Sequence, residues 1–144
     1  MMRPENSLKI GVSGIRGIVG ESLTPSLVAD FCASFGRYVG GGRVIVGRDT
    51  RPSGLMLQHA AVAGLLAAGC RPVIIGVAPT PTVQMAVEAF RANGGLAITA
   101  SHNPIEWNAL KFINGEGLFL GRYETAELLD IYNQPDLNLV TEEG

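Results

Sequence analysis

The sequence predicts an α/β fold: a three-layer α/β/α arrangement around a mixed four-stranded sheet, with three strands parallel and one antiparallel. Three observations carry this. Apolar runs at residues 43–47, 71–77 and 95–99 contain Val, Ile or Leu and read as buried strands. Between them lie stretches whose apolar residues recur at helical spacing, so strand–loop–helix units follow one another and argue for parallel strands joined by right-handed crossovers. Residues 108–114 then follow the third run too closely for a crossover helix, so they return antiparallel as the fourth strand.

In chain order, residues 7–12 alternate loosely and predict a short strand. It runs into Ser13-Gly14-Ile15-Arg16-Gly17, read as a turn in which two glycines permit tight bends around one arginine. Such an arginine is either a solvated side chain in a hairpin loop or a bidentate phosphate holder. Thr24-Pro25 is a helix start, hydroxyl at the cap and proline at the first helical position. Leu27, Val28, Phe31, Phe35 and Tyr38 form its apolar face, and Gly40-Gly41-Gly42 ends it. Strand 43–47 opens into the polar loop Arg48-Asp49-Thr50-Arg51-Pro52-Ser53-Gly54. There Arg-Asp reads as a bracing ion pair, although Arg48 and Arg51 could reach an anion, and Ser53 is expected to cap the next helix. Residues 55–68 are apolar nearly all round, the pattern of a helix buried on every side, with His59 as a packing residue and Gly69 closing it. Pro79-Thr80-Pro81-Thr82 repeats the Thr-Pro helix start, with Val83, Ala86, Val87 and Phe90 on one face and Asn93-Gly94-Gly95 as the C-cap. Glu116-Gly117 makes a turn, and residues 124–132 form a last amphipathic helix. The domain is thus expected to span 1–134, with 135–144 the start of a linker to a missing second domain.

Bulk properties bound the function. A chain of 144 residues, 47% hydrophobic and 17% charged, can bury one real core. A net charge of −2 gives no basic footprint for nucleic acid. Residues 1–6 lead into no apolar leader run, and the longest apolar stretch, residues 60–69, is too short to span a bilayer, so the expectation is a cytoplasmic protein with no membrane partner. Cys32 and Cys70 fit buried reduced thiols better than a disulfide.

The chemistry gathers at strand ends. Residues 95–99 break into the turn Ser101-His102-Asn103-Pro104, because Pro104 pushes Asn103 out of helical space. A hydroxyl and an imidazole sit side by side at the C-terminal end of a strand, where ligands collect in α/β sheets. The plain alternative is a surface turn whose Ser and Asn bond their own backbone. The antiparallel return brings Lys111 beside the turn, with Arg16 and the Arg48–Arg51 loop nearby. A serine ringed by cations suits phosphoryl transfer, which needs positioning and positive charge around three oxygens. Acyl transfer wants an acid–His–Ser arrangement, commonly on a Gly-x-Ser-x-Gly elbow, and no aspartate flanks this turn. The chain contains no Gly-x-x-x-x-Gly-Lys-[Ser/Thr] loop.

The run Thr99-Ala100-Ser101-His102-Asn103-Pro104 resembles the signature of the α-D-phosphohexomutases, the phosphoglucomutase/phosphomannomutase family. Four further segments resemble that family in its order: residues 10–17 its Gly-Thr-Ser/Asp-Gly-Ile/Val-Arg-Gly segment, Gly47-Arg48-Asp49 its Gly-Arg-Asp loop, Pro79-Thr80-Pro81 its Pro-Thr-Pro element, and Asn108-Ala109-Leu110-Lys111 its Asn-Gly-x-Lys, with alanine for glycine.

The resemblance implies that Ser101 is a phosphoserine giving its phosphoryl group to a hexose phosphate, through a bisphosphorylated sugar that later returns the other phosphate. It implies Lys111 as general acid/base, Arg16 as its electrostatic neighbour, His102 as orienting group, Ser13 lining the site, and Mg²⁺ bound through the phosphate on Ser101. Family members carry four domains around one cleft. The second's Asp-Gly-Asp-x-Asp-Arg metal loop and the third's Gly-Glu-x-Ser-Gly sugar loop are not in this chain, so it reads as the first domain, with the other domains of the same polypeptide as partners and little activity alone. The alternative is a non-catalytic phosphosugar-binding or interaction domain.

Overall fold

The structure, a computed structural model, describes residues 7–134. Its centre is one six-stranded mixed sheet: β1 (Lys9–Ile10), β2 (Gly14–Ile18), β3 (Gly42–Arg48), β4 (Cys70–Val77), β5 (Gly94–Ile98) and β6 (Trp107–Asn114), in spatial order β1-β2-β6-β5-β3-β4. Among the described residues four helices flank it: α1 (Pro25–Tyr38), α2 (Gly54–Ala67), α3 (Thr80–Ala89) and α4 (Arg122–Tyr132). β3 pairs in parallel with both β4 and β5, and β6 pairs antiparallel with β5, as expected.

The sheet has six strands, not four. The two additional ones are the N-terminal hairpin: β1 pairs antiparallel with β2, and β2 pairs antiparallel with β6. The segment around Arg16, read as a glycine turn, is therefore a strand. Its glycines serve close packing rather than bending, for a Cβ on Gly14 would collide with the Leu110 carbonyl and one on Gly17 would lie 2.5 Å from Ser22 Oγ.

Alternation along β6 divides the two sides of the sheet. Leu110 and Phe112 point into the larger core, where α1, α2 and α4 supply Val28, Phe31, Phe35, Leu57, Leu65 and Leu128. Ile113 points to the other side, against Val83 and Val87 of α3, with Ile45 and Ala97. Among the described residues the helix layers are thus unequal, α1, α2 and α4 on one side and α3 on the other. The Phe35 and Phe112 rings meet tilted by 34°, with centroids 4.8 Å apart.

Local chemistry explains the helix ends. Thr24 Oγ1 accepts from Leu27 N at 3.2 Å, and proline follows it, as the sequence predicts. Gly40, Gly41, Gly42 and Gly69 all adopt positive φ after their helices. The other two caps differ from expectation. Ser53 makes no capping bond, because its Oγ accepts from Asn108 Nδ2 at 3.0 Å instead. Thr80 lies inside α3, whose cap position is Pro79, and α3 ends at Ala89, before Asn93. Asn93 Nδ2 instead donates to the Gly41 carbonyl at 2.7 Å.

α2 is not buried on every side: Leu57, Ala61 and Leu65 are buried, while Leu55, Met56, His59 and Leu66 are exposed. His59 is therefore a surface residue. Its buried face meets α1 closely, for Gly64 sits so near the Ala29 carbonyl that no Cβ fits between them. Cys32 and Cys70 are free and buried, and burial pushes both thiols up from their ordinary pKa. The expected linker, 135–144, lies outside the described residues. Among the described residues no helix is long and apolar enough to cross a membrane.

Candidate active site

Each candidate side chain is placed by strand register. Arg16 on β2 lies opposite Ala109 of β6, and Gly14 lies opposite Lys111, so Arg16 and Lys111 are diagonal neighbours on the face of the sheet that α3 only partly covers. Ala97 of β5 pairs with Lys111 from the other side, which puts Lys111 one residue from the end of β5. Small residues at Ala97 and Ala109 leave the lysine room. With β-sheet alternation it could only be here or in the larger core, and its charge decides between them.

Past the end of β5 the chain makes a tight turn. Thr99 N still donates to Ala109 O at 3.0 Å; then Asn103 closes the turn on Ala100 O twice, through its backbone N at 3.0 Å and its Nδ2 at 2.7 Å. Ser101 sits at φ 51°, in the left-handed region that a non-glycine residue occupies at a cost of order 1 kcal/mol. Its N–H donates to Thr99 Oγ1 at 3.3 Å, and Lys111 Nζ donates to its Oγ at 3.3 Å.

The structure therefore brings Ser101 and Lys111 into contact, and it gathers Ser13, Arg16 and Lys111 around one open cavity of about 330 Å³. Lys9 also lines that cavity, directly opposite Arg16 in register. His102 is exposed beside Ser101 and lines neither this cavity nor a second one of about 350 Å³ on the far side of the turn, bounded by Asp49, Thr50, Arg51, Ser101 and Asn103. Ser101 lines the second cavity and meets the first through Lys111, so the arrangement offers a nucleophilic oxygen at the edge of an open cavity that carries Lys9, Arg16 and Lys111. That suits a group that is anionic and must be reached from solvent.

The Arg48–Ser53 loop does something the sequence reading left undecided. Arg51 does not face outward to an anion. Its Nη1 donates to Pro104 O (2.7 Å) and Trp107 O (3.0 Å), and its Nη2 to Asn103 O (2.6 Å) and Ser101 O (3.1 Å). Its Nε lies 3.5 Å from Asp49 Oδ2, while Asp49 Oδ1 accepts from Arg51 N at 3.0 Å. Arg48 points its Nη1 to Asp49 O at 3.4 Å. Nearby, the fully buried Asn108 spans Ser53 Oγ and Ala109 N. Sequence reasoning found the Arg-Asp brace but not these carbonyl contacts, since carbonyls carry no residue signature.

The expected Mg²⁺ finds no ligand set among the described residues. Among the described residues no three His, Cys, Asp or Glu side chains could hold a metal ion. Ser101 Oγ meets Lys111 Nζ, and the Asp49 carboxylate that shares the second cavity with Ser101 is engaged by Arg51. The side chains present do not fit a metal by themselves.

Comparison with known proteins follows the same lines. Residues 7–138 match the family profile described as phosphoglucomutase/phosphomannomutase, alpha/beta/alpha domain I. A "probable phosphoglucosamine mutase" of Pyrococcus furiosus is 43% identical over 131 residues, covering 91% of this chain and 29% of the relative. A phosphoglucomutase/phosphomannomutase of Thermococcus kodakarensis is 41% identical, covering 89% of this chain and 29% of its own length. Among solved structures, a phosphoglucomutase/phosphomannomutase family protein from Burkholderia thailandensis superposes with a TM-score of 0.75 at 28% identity, covering 85% of this chain and 29% of that one. The chain thus spans somewhat under a third of the length of these relatives.

Proposed function

Since the chain belongs to the phosphoglucomutase/phosphomannomutase family as its α/β/α domain I, we propose that Ser101 carries the phosphoryl group exchanged with a hexose phosphate, within a longer polypeptide. The observation that supports this most directly is the 3.3 Å approach of Lys111 Nζ to Ser101 Oγ. In the first half-reaction a sugar hydroxyl attacks the phosphorus and releases its proton to solvent, the P–O bond to Ser101 breaks, and Lys111 gives a proton to the departing serine oxygen. A bisphosphorylated sugar results. In the second half Ser101 attacks the sugar's other phosphate, Lys111 takes the serine proton back, and the P–O bond to the sugar breaks as that oxygen regains a proton from solvent. Arg16, diagonal to Lys111 on the sheet, balances the charge spread over the transferring oxygens. Ser13 lines the pocket, and His102, free to turn at the surface, orients the incoming hydroxyl. Mg²⁺ would meet this domain only through the phosphate on Ser101, its protein ligands coming from elsewhere in the polypeptide. We place the protein in the cytoplasm, where hexose phosphates are found.

The test is phosphate mapping. The full polypeptide carrying this domain is incubated with a hexose 1,6-bisphosphate and Mg²⁺, and the modified peptide is identified by mass spectrometry. Phosphate on Ser101 and loss of turnover in Ser101→Ala are expected; phosphate elsewhere, or full turnover in Ser101→Ala, sinks the assignment. Lys111→Met is expected to lower kcat by about 10²–10⁴-fold with little change in KM, the usual contribution of a general acid. A second reading, a phosphosugar-binding domain without catalysis, draws on the lack of a metal-ligating cluster among the described residues. It is favoured if sugar phosphate binds the polypeptide while Ser101 never becomes labelled.

A further inference from the structure

We infer that Arg51, oriented by Asp49, is a positioning residue for the serine of the transfer reaction, an inference that rests on the function proposed above. A guanidinium has five N–H donors in one plane, and Arg51 has five partners: four carbonyl oxygens of the turn, at Ser101, Asn103, Pro104 and Trp107, and the Asp49 carboxylate. None is left over for a substrate phosphate, and the side chain is only 12% exposed. The turn is folded around this cation with its carbonyls inward. Four carbonyl dipoles pointing at one spot repel each other unless a positive charge sits among them.

The consequence for Ser101 is geometric. Its carbonyl is turned in to Arg51 while its Oγ is turned out to Lys111. A residue that makes both contacts holds the left-handed backbone seen at φ 51°. The clamp on the carbonyl side opposes relaxation of that backbone to a commoner conformation, which would carry Oγ away from the lysine. Lysine could not replace Arg51. It has three donors on a tetrahedral head and cannot serve four carbonyls and a carboxylate in one plane. The neighbouring Asn108–Ser53 bond ties the same loop to β6, so the clamp itself stands on a fixed base.

Two measurements test this. The first is amide hydrogen exchange on the 144-residue chain and its Arg51→Lys and Asp49→Asn variants. The amides of Asn103 and Trp107, bonded to Ala100 O and Pro104 O within the turn, are expected to exchange at least about tenfold faster in Arg51→Lys, and the β5–β6 ladder amides at the parent rate. Unchanged exchange at Asn103 and Trp107 overturns the clamp, whatever the protein catalyses. A rise spread evenly over the sheet overturns it too, because it marks Arg51 as a general stability residue. If Arg51→Lys does not fold, the milder Asp49→Asn carries the same comparison.

The second measurement is turnover of the full polypeptide. Arg51→Lys is expected to lower kcat by about 100-fold, the scale of an ångström-level misplacement, with KM for the sugar phosphate within about twofold. Arg51→Ala is expected to regain part of that loss in millimolar methylguanidinium. A raised KM with kcat intact would overturn the inference by making Arg51 a substrate-binding residue. If the parent polypeptide places no phosphate on Ser101, the proposed function falls with it, while the exchange data still decide the clamp.

Discussion

Gly64 on α2 pits two effects of opposite sign against each other. Replacing a glycine by alanine inside a helix stabilises the helix by about 1 kcal/mol, through lower entropy in the unfolded chain. Here the new methyl would overlap the Ala29 carbonyl oxygen and lie 2.9 Å from Ala29 C and 3.0 Å from Ala33 N, all backbone of α1. No rotamer relieves a backbone contact, so α1 and α2 must part by about 1 Å, and a gap of that size forfeits up to about half of each dispersion contact along the seam. Overpacking of this kind costs about 1–3 kcal/mol, toward the upper end when backbone is struck. The net expectation for Gly64→Ala is a loss of about 1–2 kcal/mol. For 144 residues the unfolding entropy is about 0.3 kcal/mol/K, so Tm should fall by roughly 3–7 °C. Ala63→Gly on the exposed side of the same helix calibrates the propensity term, with an expected loss of about 1 kcal/mol. Scanning calorimetry or thermal circular dichroism reads both. A Tm for Gly64→Ala equal to or above the parent's would show that the helices separate freely, and would refute the close-packed seam.

Two further outcomes follow from groups the structure buries. Asn108→Ala leaves the buried Ala109 N–H without its acceptor and Ser53 Oγ without its donor. A loss of about 1–3 kcal/mol is expected from the denaturation midpoint, with an unchanged urea m-value; a neutral substitution would mean that water replaces the amide. Cys32 is fully buried and its thiol is held protonated by desolvation, with the neighbouring Cys70 adding to it. A folded-state pKa above the unfolded one contributes stability that is complete below the unfolded value, near 9.0, and is lost as pH rises beyond it. Each such thiol adds a slope of up to about 1.4 kcal/mol per pH unit. Melting curves between pH 8 and 10 should therefore show a steeper fall for the parent than for Cys32→Ala, and parallel curves would contradict the buried thiol.

Much of this fold is written in local pattern. Thr24-Pro25 marks a helix start because capping is a short-range matter, and the β-branched run at 43–47 marks a strand because both sheet faces are covered. The errors share one cause: a residue chosen for a distant neighbour looks locally like something else. Gly14 and Gly17 resemble turn glycines, yet they are small because Leu110 and Ser22 press on them. Ser53 resembles a cap, yet its hydroxyl serves Asn108, 55 residues away. The apolar girth of α2 resembles full burial, yet Leu55, Met56 and Leu66 face outward. The site divides in the same way. Ser101 and Lys111 were legible because a tight antiparallel return brings them together over ten residues. The work of Arg51 was hidden, because its partners are main-chain oxygens.

The pairing of β2 with β6 also has a consequence for biosynthesis. Gly14 leaves the ribosome 97 residues before Lys111, its partner in the sheet. At about 5–20 residues per second, the N-terminal hairpin waits roughly 5–20 s for the strand it must join. A lone two-stranded hairpin is marginal in water, and Ile15 has no core to enter until β6 is laid beside β5. Although it precedes the other strands of the sheet, the hairpin is thus the last to find its partner strand, and it brings Arg16 with it. Slowing synthesis between residues 20 and 107 lengthens the time a sticky edge stands open, whereas a chaperone that shields those first residues shortens the exposure.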